Sequence, residues 1–197
     1  MADISDKELQ AIVERVLQRT LHGHTNRVED ASEKMDQPVG SQLSQRTIAL
    51  GADHGGYKMK EMLAAHLVNA GYQVIDCGTN STESVDYPDF AFAVAEKVSL
   101  GYAWRGIVID GVGIGSCITA NKVPGVRAAM CYDYATAVNS REHNDANVLT
   151  LGAGLLGDNL VRQIVDTWLA TEFGGGRHAR RVDKIIAIEN KFLKSGS

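Results

Sequence analysis

From Thr47 onward the chain repeats one pattern five times: a short apolar run, a polar or glycine-containing turn, then a segment with helical spacing. The apolar runs begin TIALGA, YQVIDCG, GIVIDG, VRAAMC and NVLTLG. The segments between and after them are YKMKEMLAAHLVNAG, YPDFAFAVAEKVSLG, the stretch that follows GVGIG, YDYATAVNSREHN and DNLVRQIVDTWLATEF, with a last helix in RHARRVDKIIAIENKFL. A helix between two strands carries the chain back across the sheet, so successive strands run the same way. Strands this continuously apolar suit a sheet covered on both faces. The pattern predicts an α/β fold with a five-stranded parallel sheet over residues 47–197.

Local signals agree with the period. In the first helix, Met62, Leu63, His66, Leu67 and Ala70 fall on one face, and Gly71 closes it. His66 on that stripe is expected to be a packed core residue. Pro88 stands in the first turn of the second helix, where its missing N–H costs nothing. Residues 1–21 read separately. Leu9, Ile12, Val13, Val16, Leu17 and Leu21 form an amphipathic helical stripe, and Ser5 with Glu8 has the spacing of a capping box. Residues 22–46 are polar, contain Gly and Pro, and are expected to be a linker. His22 and His24 lie in it and receive no role.

Composition excludes some functions. A net charge of −4 gives no electrostatic case for nucleic acid or an anionic membrane. No run of about 18 apolar residues is present, so no spanning helix is expected. The start lacks the apolar core of a secretory signal, and three scattered cysteines fit a reducing cytoplasm. Their spacing suits no metal, and no metal site is expected.

In open parallel sheets ligands bind beyond the C-terminal ends of the strands. Four features are expected to converge there: Asp53-His54 after the first strand, Asp110 to Gly115 after the third, His143-Asn144 before the fifth, and Arg177 to Arg181 at the start of the last helix. Gly111, Gly113 and Gly115 let backbone approach a ligand, and the helix that follows presents N–H groups to a phosphate or a developing oxyanion. The spacing is not that of a dinucleotide loop. Arg177 and Arg181, four apart, share a helical face and can grip a phosphate. Two histidines at one rim suit proton transfer.

Together the motifs GADHGGYKMK, DCGTNSTESVDYPDFA, GVGIGSCITANKVPGVRAAMC, SREHNDANVLTLGA and GGRHARRV resemble the type B ribose-5-phosphate isomerases and the related galactose-6-phosphate isomerase subunits, in family order from Thr47 to about Asn190. The resemblance implies a Rossmann-like sandwich and a homodimer, or a dimer of dimers, with each active site built from both subunits. It implies no cofactor, and interconversion of an aldose phosphate and a ketose phosphate through an enediolate. By position, Asp53 and His54 bind the sugar and its phosphate end. Gly111, Val112, Gly113, Ile114 and Gly115 form the enediolate loop. His143 helps open the sugar ring, Asn144 binds a sugar oxygen, and Arg177 and Arg181 hold the phosphate.

Three departures stand out. Asp110 takes the place where many members carry a proton-transferring cysteine. Val112 replaces a hydroxyl residue, and Gly154 replaces a phosphate-binding arginine. Asp110 is the proposed proton shuttle. The same changes fit a protein that only binds a sugar phosphate, or an isomerase of a different sugar. Residues 1–21 are similar to the encapsulation peptides of bacterial microcompartment enzymes, which implies a shell-protein partner and residence in the compartment lumen. The other reading is a helix packed on its own domain.

Overall fold

The computed structural model describes residues 47–193. The amphipathic helix expected over 1–21 and the linker over 22–46 lie outside the described residues. The chain forms β1 (Thr47–Ala52), α1 (Tyr57–Asn69), β2 (Gln73–Asp76), α2 (Tyr87–Ser99), β3 (Arg105–Asp110) and α3 (Ile114–Ala120). It continues through β4 (Ala128–Met130), α4 (Tyr134–Glu142), β5 (Val148–Gly152), α5 (Asp158–Ala170) and α6 (Ala179–Leu193). The sheet has five strands in the order β2-β1-β3-β5-β4, all parallel.

Alternate residues of the central strands feed two cores. Ile48, Leu50, Ile107, Ile109, Leu149 and Leu151 face α1, α4 and α5, meeting Leu63, Leu67, Ala137, Ile164 and Trp168. Ala49, Val108 and Val148 face α2 and α3, meeting Val94, Val98 and Ala120. Each large side chain removed from water in this way contributes about 1.5–3 kcal/mol. Because every residue of β1, β3 and β5 is buried, the sheet is the middle of three layers.

The apolar face of α1 is rotated from the expected one. Met59, Lys60, Leu63 and Leu67 are buried, whereas Met62 is half-buried and Ala70 exposed. The cause is Lys60, 1% exposed, whose Nζ lies 2.5 Å from Asp76 Oδ2 and 3.0 Å from Glu61 Oε1. His66 is not a core residue. Its side chain is 26% exposed, and Nε2 lies 2.6 Å from Asp166 Oδ1 on α5.

Arg105 begins β3 and is buried. Its guanidinium stacks 3.9 Å from the Trp104 ring and faces Trp168. It donates to the carbonyls of Trp168 at 2.8 Å, Leu169 at 2.9 Å and Thr171 at 3.4 Å. These are the carbonyls that the end of α5 leaves without helical partners. Burial, then the charge of Arg141, lowers the Arg105 pKa to about 10. The charge is thus held at a cost that the carbonyl bonds and ring stacking offset. Arg105→Ala strips donors from buried carbonyls and leaves a void. We expect it to destabilise the protein by about 3 kcal/mol, read as a lowered urea midpoint. Arg105→Lys restores little of this, having no planar fork to stack or to bridge several carbonyls.

Candidate active site

Strand direction sorts the candidate residues. A loop that follows a parallel strand lies at the C-terminal rim of the sheet, and one that precedes a strand lies at the opposite rim. Asp53 and His54 follow β1, and Asp110 to Gly115 join β3 to α3, so these share the C-terminal rim. His143 and Asn144 follow α4 and precede β5. Asn147, three residues on, accepts a hydrogen bond from Gly106 N near the start of β3. The His143 ring stacks on His178 with centroids 4.1 Å apart and planes 8° apart. His143, Asn144 and the Arg177–Arg181 segment therefore lie at the N-terminal rim. The expected convergence of four features on one rim is wrong. A six-residue strand spans roughly 20 Å, and within one chain that length separates the two groups.

At the C-terminal rim the Asp110 carboxylate organises its own loop. Oδ1 accepts from the N–H groups of Val112, at 2.8 Å, and Gly113. Oδ2 accepts from Ser116 N at 3.0 Å and Ser116 Oγ at 2.5 Å. Gly113 adopts φ +90°, a conformation that glycine reaches without strain. The loop thereby turns tightly into α3. Two of the loop's N–H groups are consumed by Asp110, which leaves those of Ile114 and Gly115, in the first turn of the helix, as donors that the helix itself cannot satisfy. Asp53 is buried, and its Oδ1 accepts from Gly56 N at 3.0 Å. His54 Nδ1 lies 3.2 Å from both N and O of Val85, so Nε2 is the edge available to a ligand. Gly154 N donates to Gly111 O at 2.9 Å, and a Cβ there would stand 2.9 Å from the same oxygen. The β5 loop thus closes directly on the β3 loop.

At the N-terminal rim Asn139 Nδ2 lies 2.8 Å from His143 Nδ1. An amide donor there assigns the proton of a neutral His143 to Nε2. Asn144 Nδ2 donates to Asn139 O at 3.2 Å. Arg177 Nε donates to His178 Nε2 at 3.3 Å. Burial first, then the charges of His143, Arg177 and Arg181, push the His178 pKa down. Among the described residues no cluster of His, Cys, Asp and Glu is arranged to hold a metal, and no helix is long and apolar enough to cross a membrane.

The family model described as Ribose/Galactose Isomerase matches residues 48–185. The chain belongs to this family. It is 47% identical over 146 residues to ribose-5-phosphate isomerase B of Escherichia coli (strain K12), an alignment covering 74% of this chain and 98% of that protein. The solved ribose-5-phosphate isomerase B of Clostridium thermocellum is 57% identical, with a TM-score of 0.73 over 74% of this chain and 99% of that one. The Mycoplasma genitalium ribose-5-phosphate isomerase B, solved with bound ribulose-5-phosphate, is 43% identical, with a TM-score of 0.71 over 73% and 96%.

Within this isomerase-family chain, two site neighbours escaped the sequence reading. The Tyr87 ring, in the first turn of α2, lies against Gly115. The helix after β2 must start at the C-terminal rim, so the strand–helix order already placed it there. Ser116 is fully buried on Asp110, and no spacing rule flags a serine inside a short helix.

The Asp110 pKa carries a stability signature. Burial pushes the carboxyl up, but the Ser116 hydroxyl and the N–H groups of Gly113, Ser116 and Val112 outweigh it and hold the pKa below the usual carboxylate value. A carboxyl that titrates lower folded than unfolded contributes fully above its unfolded value, near 4. The contribution drains away as pH falls toward the folded value. Asp110→Asn should cost about 1–3 kcal/mol at neutral pH. That deficit should shrink as pH falls from about 5 to about 2, in urea titrations at each pH. A deficit constant across that range would remove the ionised carboxylate from the account of this loop.

Proposed function

We propose that the chain is a cofactor-independent aldose–ketose isomerase of a sugar phosphate, most simply interconverting ribose 5-phosphate and ribulose 5-phosphate. We propose further that it works as paired copies. The observation that carries the pairing is the separation of the two residue groups by the length of the sheet. A substrate touching both needs the C-terminal rim of one copy against the N-terminal rim of another. Val112, Ile114 and Leu155, exposed and apolar beside the Asp110 loop, suit such an interface.

In this reading Arg177 and Arg181 hold the phosphate, with Asp53 and His54 at the sugar and its phosphate end. His143 donates a hydrogen bond from Nε2 to the ring oxygen as the C1–O bond breaks, and that oxygen takes a proton from solvent while the C1 hydroxyl gives one back to it. Asn144 holds a sugar oxygen. Asp110 then carries the C2 proton to C1 through Oδ2, while the C2 hydroxyl loses its proton to solvent and the C1 oxygen takes one up from it. Of the four donors to Asp110 only the Ser116 hydroxyl can rotate, the other three being backbone N–H groups. Ile114 and Gly115 N–H groups face the enediolate oxygen. Gly154 leaves the phosphate end one cation short of the resembled pattern.

One observation favours a second reading. A carboxylate holding four donors is a weak base, and the site could bind a sugar phosphate without converting it. Ribose 5-phosphate in deuterated water separates the two. The enzyme yields ribulose 5-phosphate with exchange at C2, whereas a binding protein shows thermal stabilisation alone. His54→Ala and His143→Ala should each lose most of the turnover. Mixing the two variants through a dissociation step should restore roughly one quarter of wild-type activity, since random pairing leaves one intact site in half of the pairs. No recovery would argue for sites complete within one copy.

The shell-protein reading of residues 1–21 rests on their apolar stripe and is tested separately. Fused to a fluorescent cargo in cells with assembled microcompartments, they should give punctate signal, and diffuse signal would reject it.

A further inference from the structure

The turn that carries His143 and Asn144 ends on Asp145, which has φ +48°. Asp145 is the one non-glycine residue with positive φ among the described residues. Aspartate tolerates this region better than most side chains, but still at a cost. Here the surroundings over-determine it. Arg127, just before β4, donates Nη2 to Asp145 Oδ2 at 2.9 Å and Nε to Asp145 O at 2.9 Å. Arg141 on α4, its side chain 6% exposed, donates Nη1 to Asp145 Oδ1 at 2.8 Å. The Asp145 N–H in turn donates to Arg141 O at 3.0 Å.

Each carboxylate oxygen is thus claimed by a different arginine from a different element. The same Arg141 reaches further, donating Nη1 to Ala146 O at 2.5 Å and Nε to Thr171 O at 3.3 Å. Thr171 opens the segment that leads to Arg177 and His178, and Arg105 donates to the same carbonyl. One buried arginine therefore ties the histidine turn to the loop bearing the phosphate-binding arginines. Both tethers meet at the residue that sets the direction in which the chain leaves His143.

We propose that Asp145 is a positioning residue: its carboxylate, clamped between Arg127 and Arg141, holds the turn so that His143 presents Nε2 to the sugar ring oxygen. This rests on the ring-opening role assigned to His143 above. A side chain of ordinary conformational preference would relax the turn toward negative φ and swing the imidazole away from Asn139 and His178. A neutral side chain would loosen both arginines.

Two reactions separate positioning from general damage. Conversion of ribose 5-phosphate begins from a closed ring. Deuterium exchange at C1 of ribulose 5-phosphate does not, because that ketose is open-chain and the exchange needs only removal and return of the C1 proton. Asp145→Gly keeps the positive φ accessible and deletes the carboxylate. It should lower kcat for ribose 5-phosphate by about 10- to 100-fold, while saturated ribulose 5-phosphate exchange stays within about 3-fold of wild type. Asp145→Asn, which tolerates the same φ and keeps one acceptor oxygen, should recover part of the loss.

His143→Ala run beside them tests the underlying reading. If it keeps ribose 5-phosphate turnover, the ring-opening assignment fails by itself, and this inference goes with it. If His143→Ala separates the two reactions but Asp145→Gly lowers both equally, or neither, only the positioning role is overturned. Urea midpoints and circular dichroism of each variant decide whether a joint loss is unfolding. Should Asp145→Gly fail to fold, Asp145→Asn alone carries the test through the same ratio of the two rates.

Discussion

Five strands that all run one way divide the loops of this chain into two sets, and no side-chain rearrangement can move a loop from one set to the other. Everything the site can do follows from that division. The loop set after the strands carries Asp53, His54 and the Asp110 turn. The set before the strands carries His143, Asn144 and the Arg177 segment. A parallel sheet is rigid on the scale of catalysis, because its central strands are buried on both faces and held by two cores. The two halves are therefore each well placed within themselves and fixed apart from one another.

Each half is stiffened by charged side chains bonded to groups of that same half. At one rim Asp110 gathers Val112, Gly113 and Ser116 into a tight turn. At the other, Arg105 and Arg141 meet at Thr171 O, and Arg141 also holds Asp145. The contrast lies in what the charges leave over. Asp110 uses up lone pairs that a proton carrier would need, whereas Arg105 and Arg141 take up carbonyls at the end of α5 and in the turn after Asp145. Stiffness at the first rim competes with chemistry, and at the second it supports chemistry.

Much of this was legible in the residues. Apolar runs between helical periods gave the element order, and Pro88, Gly71 and Gly113 marked boundaries because each has a backbone reason to stand there. The rotated face of α1 was not legible, since burying Lys60 makes sense only once Asp76 lies beside it. His66 misled for a related reason: its polar partner, Asp166, is a hundred residues away. The rim of His143 was available in principle from the rule that sorts loops by strand direction. The segment SREHNDAN precedes the fifth strand, and that position alone puts it in the loop set opposite Asp110. Asp145 was invisible because neither its φ nor its two arginines can be inferred from spacing.

The separation of the two rims has a consequence for how the protein behaves in bulk. If each reaction centre borrows its edges from two chains, a solitary chain has no output, and the rate per chain depends on how often chains meet. Spread thinly, the same number of molecules would do less work than when crowded into a small volume. Local concentration would then regulate the reaction as directly as any effector, with no further site on the fold required to sense it.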